Sequence, residues 1–374
     1  MKIIKLASPN ISDREIRAVT AVLKSGTLSL GPEIPKFEQA FAKRTGRKHA
    51  VAVSAGTAAL HLIVRALGIG QGDEVITSPY SFIASVNCVL FEGAKPVLVD
   101  IRRDTFNIDP ARAAAAVTAR TKALLAVDVF GLPADYGALE QICRKQQLQL
   151  IEDSCEALGA SYHGKPAGSF GAAATFGFYP NKQITTGEGG MIVCDDDALD
   201  ARFRSMRNQG RSSMGGWLAH QELGYNYRMA DINAALGRVQ LSRLPGFLRV
   251  RKRLAANYRK LFRQRLPEFE CLRDVPGLER SWFVFVILVP ERMRGAGRDR
   301  LLRDLQSQGI GCAHYFPALH LQPSLAHLGY RRGDFPVAEE VADRSLAIPF
   351  HHGLSLTDQE RVVAAIARAV HDIG

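Results

Sequence analysis

One lysine lies where the sequence favours chemistry at an amine. Lys182 occurs in residues 178–192, FYPNKQITTGEGGMI, between two predicted strands and just ahead of a glycine-rich turn. A lone lysine is usually a surface residue. A lysine confined by strands and small residues, however, can lose its proton near neutral pH. The neutral ε-amine is the form that makes a Schiff base with a carbonyl compound.

Asp153 is a second candidate, because it ends an otherwise hydrophobic predicted strand in the segment IEDS, residues 151–154. A carboxylate at that position must be paired or hydrogen-bonded, since an isolated charge in a low-dielectric environment is costly. A helix cap or a structural ion pair accounts for such an aspartate as well as a ligand contact does.

The segment SAGTAALHL, residues 54–62, places a small turn between a predicted strand and a predicted helix. The main-chain N–H groups of Gly56, Thr57 and Ala58 are then free at the positive end of the helix dipole. Such a turn can hold a phosphate. Small residues are common in these turns, so the segment alone is weak evidence for a phosphate site.

The three features explain one another if the ligand is pyridoxal 5′-phosphate. That cofactor needs an amine for its aldehyde, a carboxylate that keeps its pyridine nitrogen protonated, and donors for its phosphate. It also needs a flat partner for its ring. Phe82 follows the next predicted strand and could stack there, although an isolated phenylalanine is most often a core residue.

The elements that must position these residues form a predicted α/β fold. From about residue 50 to residue 195, short runs rich in Val, Ile and Leu alternate with helix-length stretches. That alternation is typical of a mostly parallel sheet with helices on both faces. We expect the helix after the first strand to begin near Thr57 and to end at Gly68. The seven predicted strands are residues 50–54, 73–78, 95–100, 123–129, 148–153, 174–179 and 190–194.

A second, smaller domain is predicted after a helical segment that should end at Pro245. Beyond it the composition turns basic, and a further α/β pattern begins at residues 282–289. We therefore predict a large cofactor-binding domain over residues 1–244, with its N-terminal segment near the substrate site, and a small C-terminal α/β domain over residues 245–374.

The most basic stretch of the chain, residues 249–265, has eight basic residues and no acid. Leu254, Tyr258 and Leu261 recur in it at helical spacing. This pattern predicts an amphipathic helix with a solvated basic face. No aromatic-interleaved basic stripe supports a nucleic-acid contact.

Length and composition exclude several classes of protein. With 374 residues, 47% hydrophobic and 23% charged, the chain is long enough for two globular domains and is not dominated by disorder. No run reaches the ~18 apolar residues of a membrane span, and we expect a cytoplasmic protein. The six cysteines form no CxxC pair and are expected to be reduced thiols. The net charge of +11 suits anionic partners such as nucleotides.

At nearly full length the sequence resembles the DegT-type sugar aminotransferases, which are pyridoxal phosphate enzymes of the aspartate-aminotransferase fold (fold type I). The resemblance includes the motifs IEDSCEALGA, NKQITTGEGGMI and GYNYRMADINAALG. The matching stretches are residues 25–42, 54–62, 72–85, 93–101, 151–160, 181–192, 224–237, 314–323 and 335–355.

The resemblance implies a role for each candidate residue. Lys182 would bind the cofactor through a Schiff base and then shuttle a proton, and Asp153 would pair with the pyridine nitrogen. Thr57 and Ala58 would hold the phosphate, and Phe82 would pack on the ring.

The same resemblance implies a homodimer with shared active sites. Asn226, within GYNYR, would reach the phosphate of the neighbouring subunit's cofactor, and Arg228, which follows it, would contact the substrate. Residues 25–31, together with Tyr315 and His320, would form the sugar-binding wall. The spacing of the histidines matches neither HExxH nor a comparable metal-binding motif, so no metal site is expected.

Three positions depart from the commoner family pattern. Glu156 replaces a Gln or His beside the cofactor's phenolic oxygen, so we predict that either Glu156 or that oxygen carries a proton. Gly177 replaces a phosphate-binding Ser, so one contact is missing or comes from water. Asp128 replaces a His.

The implied reaction is amino transfer in two half reactions, from glutamate to the cofactor and then to a keto sugar attached to a nucleoside diphosphate. Three alternatives remain. A sugar 3-dehydrase is disfavoured, because those relatives replace the lysine by histidine. An aminotransferase for a non-nucleotide keto-cyclitol, and a non-catalytic regulatory protein that binds pyridoxal phosphate, stay open.

Overall fold

The computed structural model describes residues 3–211 and 219–371. In those residues the helices are α1 (Asp13–Ser25), α2 (Glu33–Thr45), α3 (Gly56–Ala66), α4 (Ala84–Leu90), α5 (Pro110–Ala115), α6 (Tyr136–Gln146), α7 (Asp197–Arg207), α8 (Asp231–Arg265), α9 (Ala296–Ser307), α10 (Pro336–Arg344) and α11 (Leu356–His371). The strands are β1 (His49–Val53), β2 (Glu74–Thr77), β3 (Lys95–Leu98), β4 (Thr121–Val127), β5 (Gln149–Asp153), β6 (Ser161–Tyr162), β7 (Lys165–Pro166), β8 (Ala173–Gly177), β9 (Gly190–Cys194), β10 (Glu270–Cys271), β11 (Leu278–Glu279), β12 (Phe285–Leu288) and β13 (Ser345–Ile348).

The main sheet has seven strands in the order β1-β9-β8-β5-β4-β2-β3. They are the seven strands that the sequence predicts, with bounds that differ by a few residues. β9 runs antiparallel to both of its neighbours, and the other neighbouring strands are parallel. The prediction of a large, mostly parallel sheet is therefore confirmed.

Helices cover both faces of this sheet, as the continuous hydrophobic runs require. In β1, Val51 and Val53 belong to the core cluster that contains the apolar side of α3. Ala50 and Ala52 belong instead to the cluster with Phe41 of α2. Successive side chains of a strand point to opposite faces, so each face of β1 contributes to a separate core.

The C-terminal part of the chain builds a three-stranded antiparallel sheet in the order β10-β12-β13. β12 lies inside the predicted run of residues 282–289, and all four of its residues are buried. A third small sheet joins β11, β6 and β7. In residues 3–211 and 219–371, no helix combines the length and apolar character needed to cross a bilayer.

The predicted helix end at Pro245 is wrong, because α8 continues through this proline to Arg265. A proline inside a helix removes one main-chain hydrogen bond, at a cost of about 3 kcal/mol. Leu244 and Phe247 on either side of it are buried against the α2 side of the sheet. This packing holds the helix together across the proline. One helix therefore spans the predicted domain boundary at residue 244. The division of the chain into two domains stays a prediction.

The basic stretch at residues 249–265 is helical, and Leu254, Tyr258 and Leu261 are buried as the spacing predicts. The basic face is solvated as predicted, with Lys252, Arg253 and Lys260 exposed, but one arginine of the stretch lies on the apolar face. Arg251 is buried within the protein.

Candidate active site

A cavity of about 730 Å³ opens at the carboxyl ends of β4 and β5 and at the start of α3. Ligands of open α/β sheets bind at such strand ends. The volume suits a cofactor together with part of a substrate. Seven predicted site residues line the cavity, namely Gly56, Thr57, Phe82, Asp153, Glu156, Lys182 and Tyr315. Four predicted residues, Ala58, Asn226, Arg228 and His320, are not among its lining residues.

Lys182 lies in the segment between β8 and β9, and its side chain is 15% exposed. Its Nζ lies 3.5 Å from Glu156 Oε1. The same atom lies 4.2 Å from the ring centroid of Phe283, a residue that precedes β12. The amine thus points into the cavity between a carboxylate and an aromatic face. Sequence reasoning missed Phe283, because a phenylalanine in an apolar strand pattern looks like an ordinary core residue.

Asp153 is the last residue of β5 and is buried. Its Oδ1 accepts the main-chain N–H of Cys155 at 3.1 Å. Burial raises the pKa of this carboxyl, and the Cys155 contact and the charge of Lys182 only partly oppose the shift. Among the described residues no ion-pair partner lies within 4.0 Å of the carboxylate. A protonated pyridine nitrogen is the kind of cation that this position lacks.

Glu156 is buried and held by the main chain, since its Oε2 accepts the N–H of Phe130 at 2.8 Å. Burial raises the pKa of this carboxyl as well, and the nearby Lys182 ammonium opposes the shift. Burial therefore disfavours the ionised form of both acids, Asp153 and Glu156, near the one amine.

The start of α3 forms the predicted phosphate cup. In the first hydrogen bond of the helix, the Ala59 N–H donates to the Ala55 carbonyl at 3.1 Å. The N–H groups of Gly56, Thr57 and Ala58 precede that bond and have no carbonyl of their own helix to reach. Ala58 thus offers its N–H to the cup although its side chain is buried outside the cavity.

Cys155 occupies the space where two glycines meet at this cup. A Cβ on Gly56 would lie 2.9 Å from Cys155 Sγ, which is too close for a side chain at that position. A Cβ on Gly177 would lie 3.4 Å from the same sulfur. The thiol therefore fills part of the space beside Gly177, the position at which the family commonly has serine.

The ring of Phe82 is 60% exposed at the rim of the cavity. Tyr179, two residues beyond the end of β8 and close to Lys182 in sequence, is similarly exposed. Two large aromatic side chains at the mouth of a cavity leave apolar surface that the chain itself does not cover.

Tyr315 lines the cavity, and its hydroxyl accepts a hydrogen bond from Asn181 Nδ2 at 3.2 Å. His320 is a correction. Its side chain is buried away from the cavity, with Nε2 3.0 Å from Glu339 Oε1. This hydrogen-bond contact holds His320 within the C-terminal part of the chain, and Leu319 and Gln322 line the cavity instead.

Asn226 and Arg228 lie outside the cavity formed by their own chain. Asn226 is exposed, and Arg228 donates to Asn208 Oδ1 at 3.0 Å. The rings of Tyr225 and Tyr227 stack on each other at 4.9 Å on either side of Asn226. This stacking fixes the segment so that Asn226 faces outward.

Asp128, which replaces a histidine of the family pattern, belongs to a buried acid pair behind the site. Ser154 Oγ lies 2.6 Å from Asp128 Oδ2 and 2.7 Å from Glu152 Oε1. One hydroxyl proton cannot serve both acids. Burial and the charge of Glu152 raise the pKa of Asp128 well above its usual range. Burial therefore favours retention of a proton by the Asp128–Glu152 pair, and the Ser154 hydroxyl lies within hydrogen-bond distance of both carboxylates.

The fold and the cavity are those of an enzyme that binds pyridoxal phosphate. The profile of the DegT/DnrJ/EryC1/StrS aminotransferase family matches residues 9–367, and the chain belongs to this family. The resemblance read from the sequence is thereby confirmed.

Individual proteins agree with this assignment. The chain is 40% identical over 366 residues to GDP-perosamine synthase from Caulobacter vibrioides, with 97% of each chain covered. It is similar to the structure of DesV from S. venezuelae, at 35% identity and a TM-score of 0.89, with 95% of this chain and 94% of that chain covered. It is also similar to the PLP form of a putative sugar aminotransferase, Spr1654 from Streptococcus pneumoniae, at 28% identity and a TM-score of 0.94, with both chains fully covered (100% and 100%).

The chain is therefore an aminotransferase whose cofactor is pyridoxal 5′-phosphate, and these similarities support sugar aminotransferase activity. The residues present fit the cofactor. Asp153 offers a buried carboxylate without a cation, the start of α3 offers free N–H groups, and Lys182 offers the amine.

Replacing Asp153 by Asn tests the buried charge. Asn keeps the acceptor for Cys155 N–H but cannot ionise. Because the pKa of Asp153 is raised, its ionisation costs stability as the pH rises through that pKa. Without cofactor, the variant and wild type should have the same melting temperature at pH 4. At pH 8 the melting temperature of the variant should be higher, by on the order of 2 °C. Its cofactor affinity should fall roughly 10- to 100-fold, the cost of a charge-assisted hydrogen bond. Melting curves and equilibrium titration check both; a variant that melts below wild type at pH 8 contradicts the assignment.

Replacing Glu156 by Gln tests the second acid. Glu156 lies within reach of the nitrogen of Lys182 and favours a proton on it. We expect the pH midpoint of the bound cofactor's visible absorbance to fall by about one unit, the lower end of shifts caused by an opposite charge at this range. The control is Glu188→Gln. Glu188 also lines the cavity, but its carboxylate forms no ion pair with Lys182. An unchanged midpoint in Glu156→Gln would reject the role.

Proposed function

We propose that this enzyme moves an amino group from glutamate to a keto sugar linked to a nucleoside diphosphate, in two successive half reactions. The main support for the proposal is the position of the Lys182 amine. It lies inside the cavity, 3.5 Å from Glu156 Oε1, and interacts electrostatically with Asp153. The similarity to GDP-perosamine synthase supports a nucleotide-linked substrate. The similarity to a putative sugar aminotransferase supports the sugar.

Bound pyridoxal phosphate would supply the aldehyde that takes up the amine and an electron sink that stabilises negative charge at the substrate Cα. Asp153 keeps the sink effective by holding a proton at the pyridine nitrogen. Lys182 Nζ, once free, takes the proton from the donor's Cα and returns a proton to the sugar carbon in the second half reaction. The N–H groups at the start of α3 hold the phosphate, and Phe82 limits the movement of the ring.

The charges of the cavity support a homodimer with shared sites. The acidic lining residues are Asp153, Glu156 and Glu188, and the basic side chain facing them is Lys182. Among the described residues, no arginine lines the cavity. The cofactor phosphate and glutamate are anions, and we propose that a second copy of the chain provides further cations or donors for them.

A second copy would supply these groups. Asn226 is exposed and fixed by its stacked neighbours, with Arg228 two residues on. The exposed rings of Phe82 and Tyr179 at the rim provide apolar surface for that copy to cover. We therefore propose that the Asn226 segment of one subunit completes the site of the other.

The proposed reaction has a direct spectroscopic test. Glutamate should convert the yellow holoenzyme to its amine-loaded form, and keto sugars attached to nucleoside diphosphates should restore the original spectrum. Lys182→Ala is the control and should lose the lysine-bound absorbance and steady turnover. Restoration by a free keto-cyclitol, but by no nucleotide sugar, would identify the non-nucleotide alternative. A spectrum that does not respond to glutamate or any other amino acid would indicate a regulatory protein.

Mixing two inactive variants tests the shared site. In a hybrid dimer of Lys182→Ala and Asn226→Asp subunits, one site carries both defects and the other carries neither. Random exchange of subunits should restore about a quarter of wild-type activity, since half of the dimers are hybrids with one intact site. Subunit exchange is verified by mass spectrometry of the intact complexes. Mixed dimers without recovered activity would show that Asn226 serves its own chain.

A further inference from the structure

Arg251 of α8 is a buried cation that the described site does not use. It is 3% exposed, although it lies in the most basic stretch of the sequence. Its guanidinium donates to main-chain carbonyls only. Nη1 donates to Phe283 O at 2.9 Å and to Trp282 O at 3.3 Å, and Nη2 donates to Lys182 O at 3.2 Å.

Other arginines of the same helix have carboxylate partners. Arg243 pairs with Glu15, and Arg259 pairs with Asp274. Among the described residues no carboxylate lies within 4.0 Å of the Arg251 guanidinium. The Phe350 ring lies 5.5 Å from it, and burial lowers the pKa of Arg251 to about 10. An apolar side chain would fill this space at less cost in desolvation. Compared with such a side chain, the guanidinium contributes the hydrogen bonds to three main-chain carbonyls.

These carbonyls belong to the residues that define the position of the amine. One is the carbonyl of Lys182 itself. Another is that of Phe283, whose ring lies 4.2 Å from Lys182 Nζ. Arg251 therefore joins the segment carrying the lysine, between β8 and β9, to the segment that leads into β12.

Gln183 makes a second connection between the same segments. Its Nε2 donates to Glu156 O at 2.6 Å and to Ser281 Oγ at 2.9 Å. Glu156 is the carboxylate beside the amine. Gln183 and Arg251 thus connect, through hydrogen bonds to main-chain carbonyls, the three residues whose amine, aromatic ring and carboxylate meet in the cavity.

We propose that Arg251 is a positioning residue for amino transfer, because it fixes Lys182 Nζ relative to the ring of Phe283 and the carboxylate of Glu156. The lysine must leave the cofactor and return to the same place in each half reaction. An anchored main chain limits its movement to the side chain. This inference rests on the aminotransferase activity of the family and not on the identity of the amino donor or the sugar.

Three variants test the proposal. Arg251→Met keeps much of the buried volume and removes all three hydrogen bonds, whereas Arg251→Lys keeps the charge and can reach fewer carbonyls. Arg259→Met is the matched control, since Arg259 lies two turns further along α8 and contacts Leu272 and Asp274 but not Lys182. Each holoenzyme is measured for its melting temperature, its steady-state constants and the pH midpoint of its visible absorbance.

In Arg251→Met, kcat should fall roughly 10- to 100-fold, the cost of about 1 Å of misplacement at a reacting group. The KM for glutamate should stay within about threefold of wild type. The absorbance midpoint should fall, in the same direction as in Glu156→Gln, because the nitrogen no longer stays beside the carboxylate. Arg251→Lys should lie between Arg251→Met and wild type in both kcat and midpoint, and Arg259→Met should retain both.

The proposal is overturned if the folded Arg251 variants lose melting temperature while kcat and the absorbance midpoint stay at wild-type values, since Arg251 would then serve only the fold. If Arg251→Met does not fold, Arg251→Lys decides the question. A wild-type kcat and midpoint in that variant would contradict the positioning role.

Discussion

Two buried acids, Asp153 and Glu156, lie beside the one amine of the cavity, and this imbalance of charge governs the rest of the site. Asp153 and Glu156 both have pKa values raised by burial, and Lys182 is the cation that partly offsets each of them. A low-dielectric cavity makes every unpaired charge expensive. In the proposed site, the protonated pyridine nitrogen of the cofactor would supply the positive charge that Asp153 lacks. Cofactor binding would then offset part of the cost of burying this carboxylate.

The fold meets this constraint by bringing together elements that are distant in sequence. β5 ends at Asp153, the start of α3 brings free N–H groups, and the segment between β8 and β9 brings Lys182. The parallel arrangement of β4, β5 and β8 places their carboxyl ends at one edge of the sheet. The segment before β12 adds Phe283, the aromatic face under the amine. The large sheet therefore supplies the charges, and the C-terminal part of the chain restricts where the amine can be.

The sequence predicts the sheet and most of the cavity well, because both depend on local patterns. Buried parallel strands appear as runs of Val, Ile and Leu, and the residues at their ends must meet at one edge. Prediction fails where tertiary packing decides. Pro245 should end a helix, but buried Leu244 and Phe247 hold the helix together across it. His320 has the polarity of a substrate contact, but Glu339 holds it in the interior. Arg251 lies at helical spacing from buried Leu254 and Tyr258, but its charge and its basic neighbours favour a solvated position.

The buried charges of this protein fall into two groups, and the division separates scaffold from site. Glu38 is matched by Arg204 and Arg207, and Glu15 by Arg243, so these acids are neutralised within the chain. Asp128 and Glu152 solve the same problem by retaining a proton and sharing a serine. Asp153 has no cation partner among the described residues, and in our proposal the cofactor supplies the complementary charge. Arg251 has no carboxylate either, but its carbonyl partners lie on the residues that hold the reacting amine. The partners of a buried charge, more than its residue type, therefore indicate whether it supports the fold, binds the cofactor or positions the lysine.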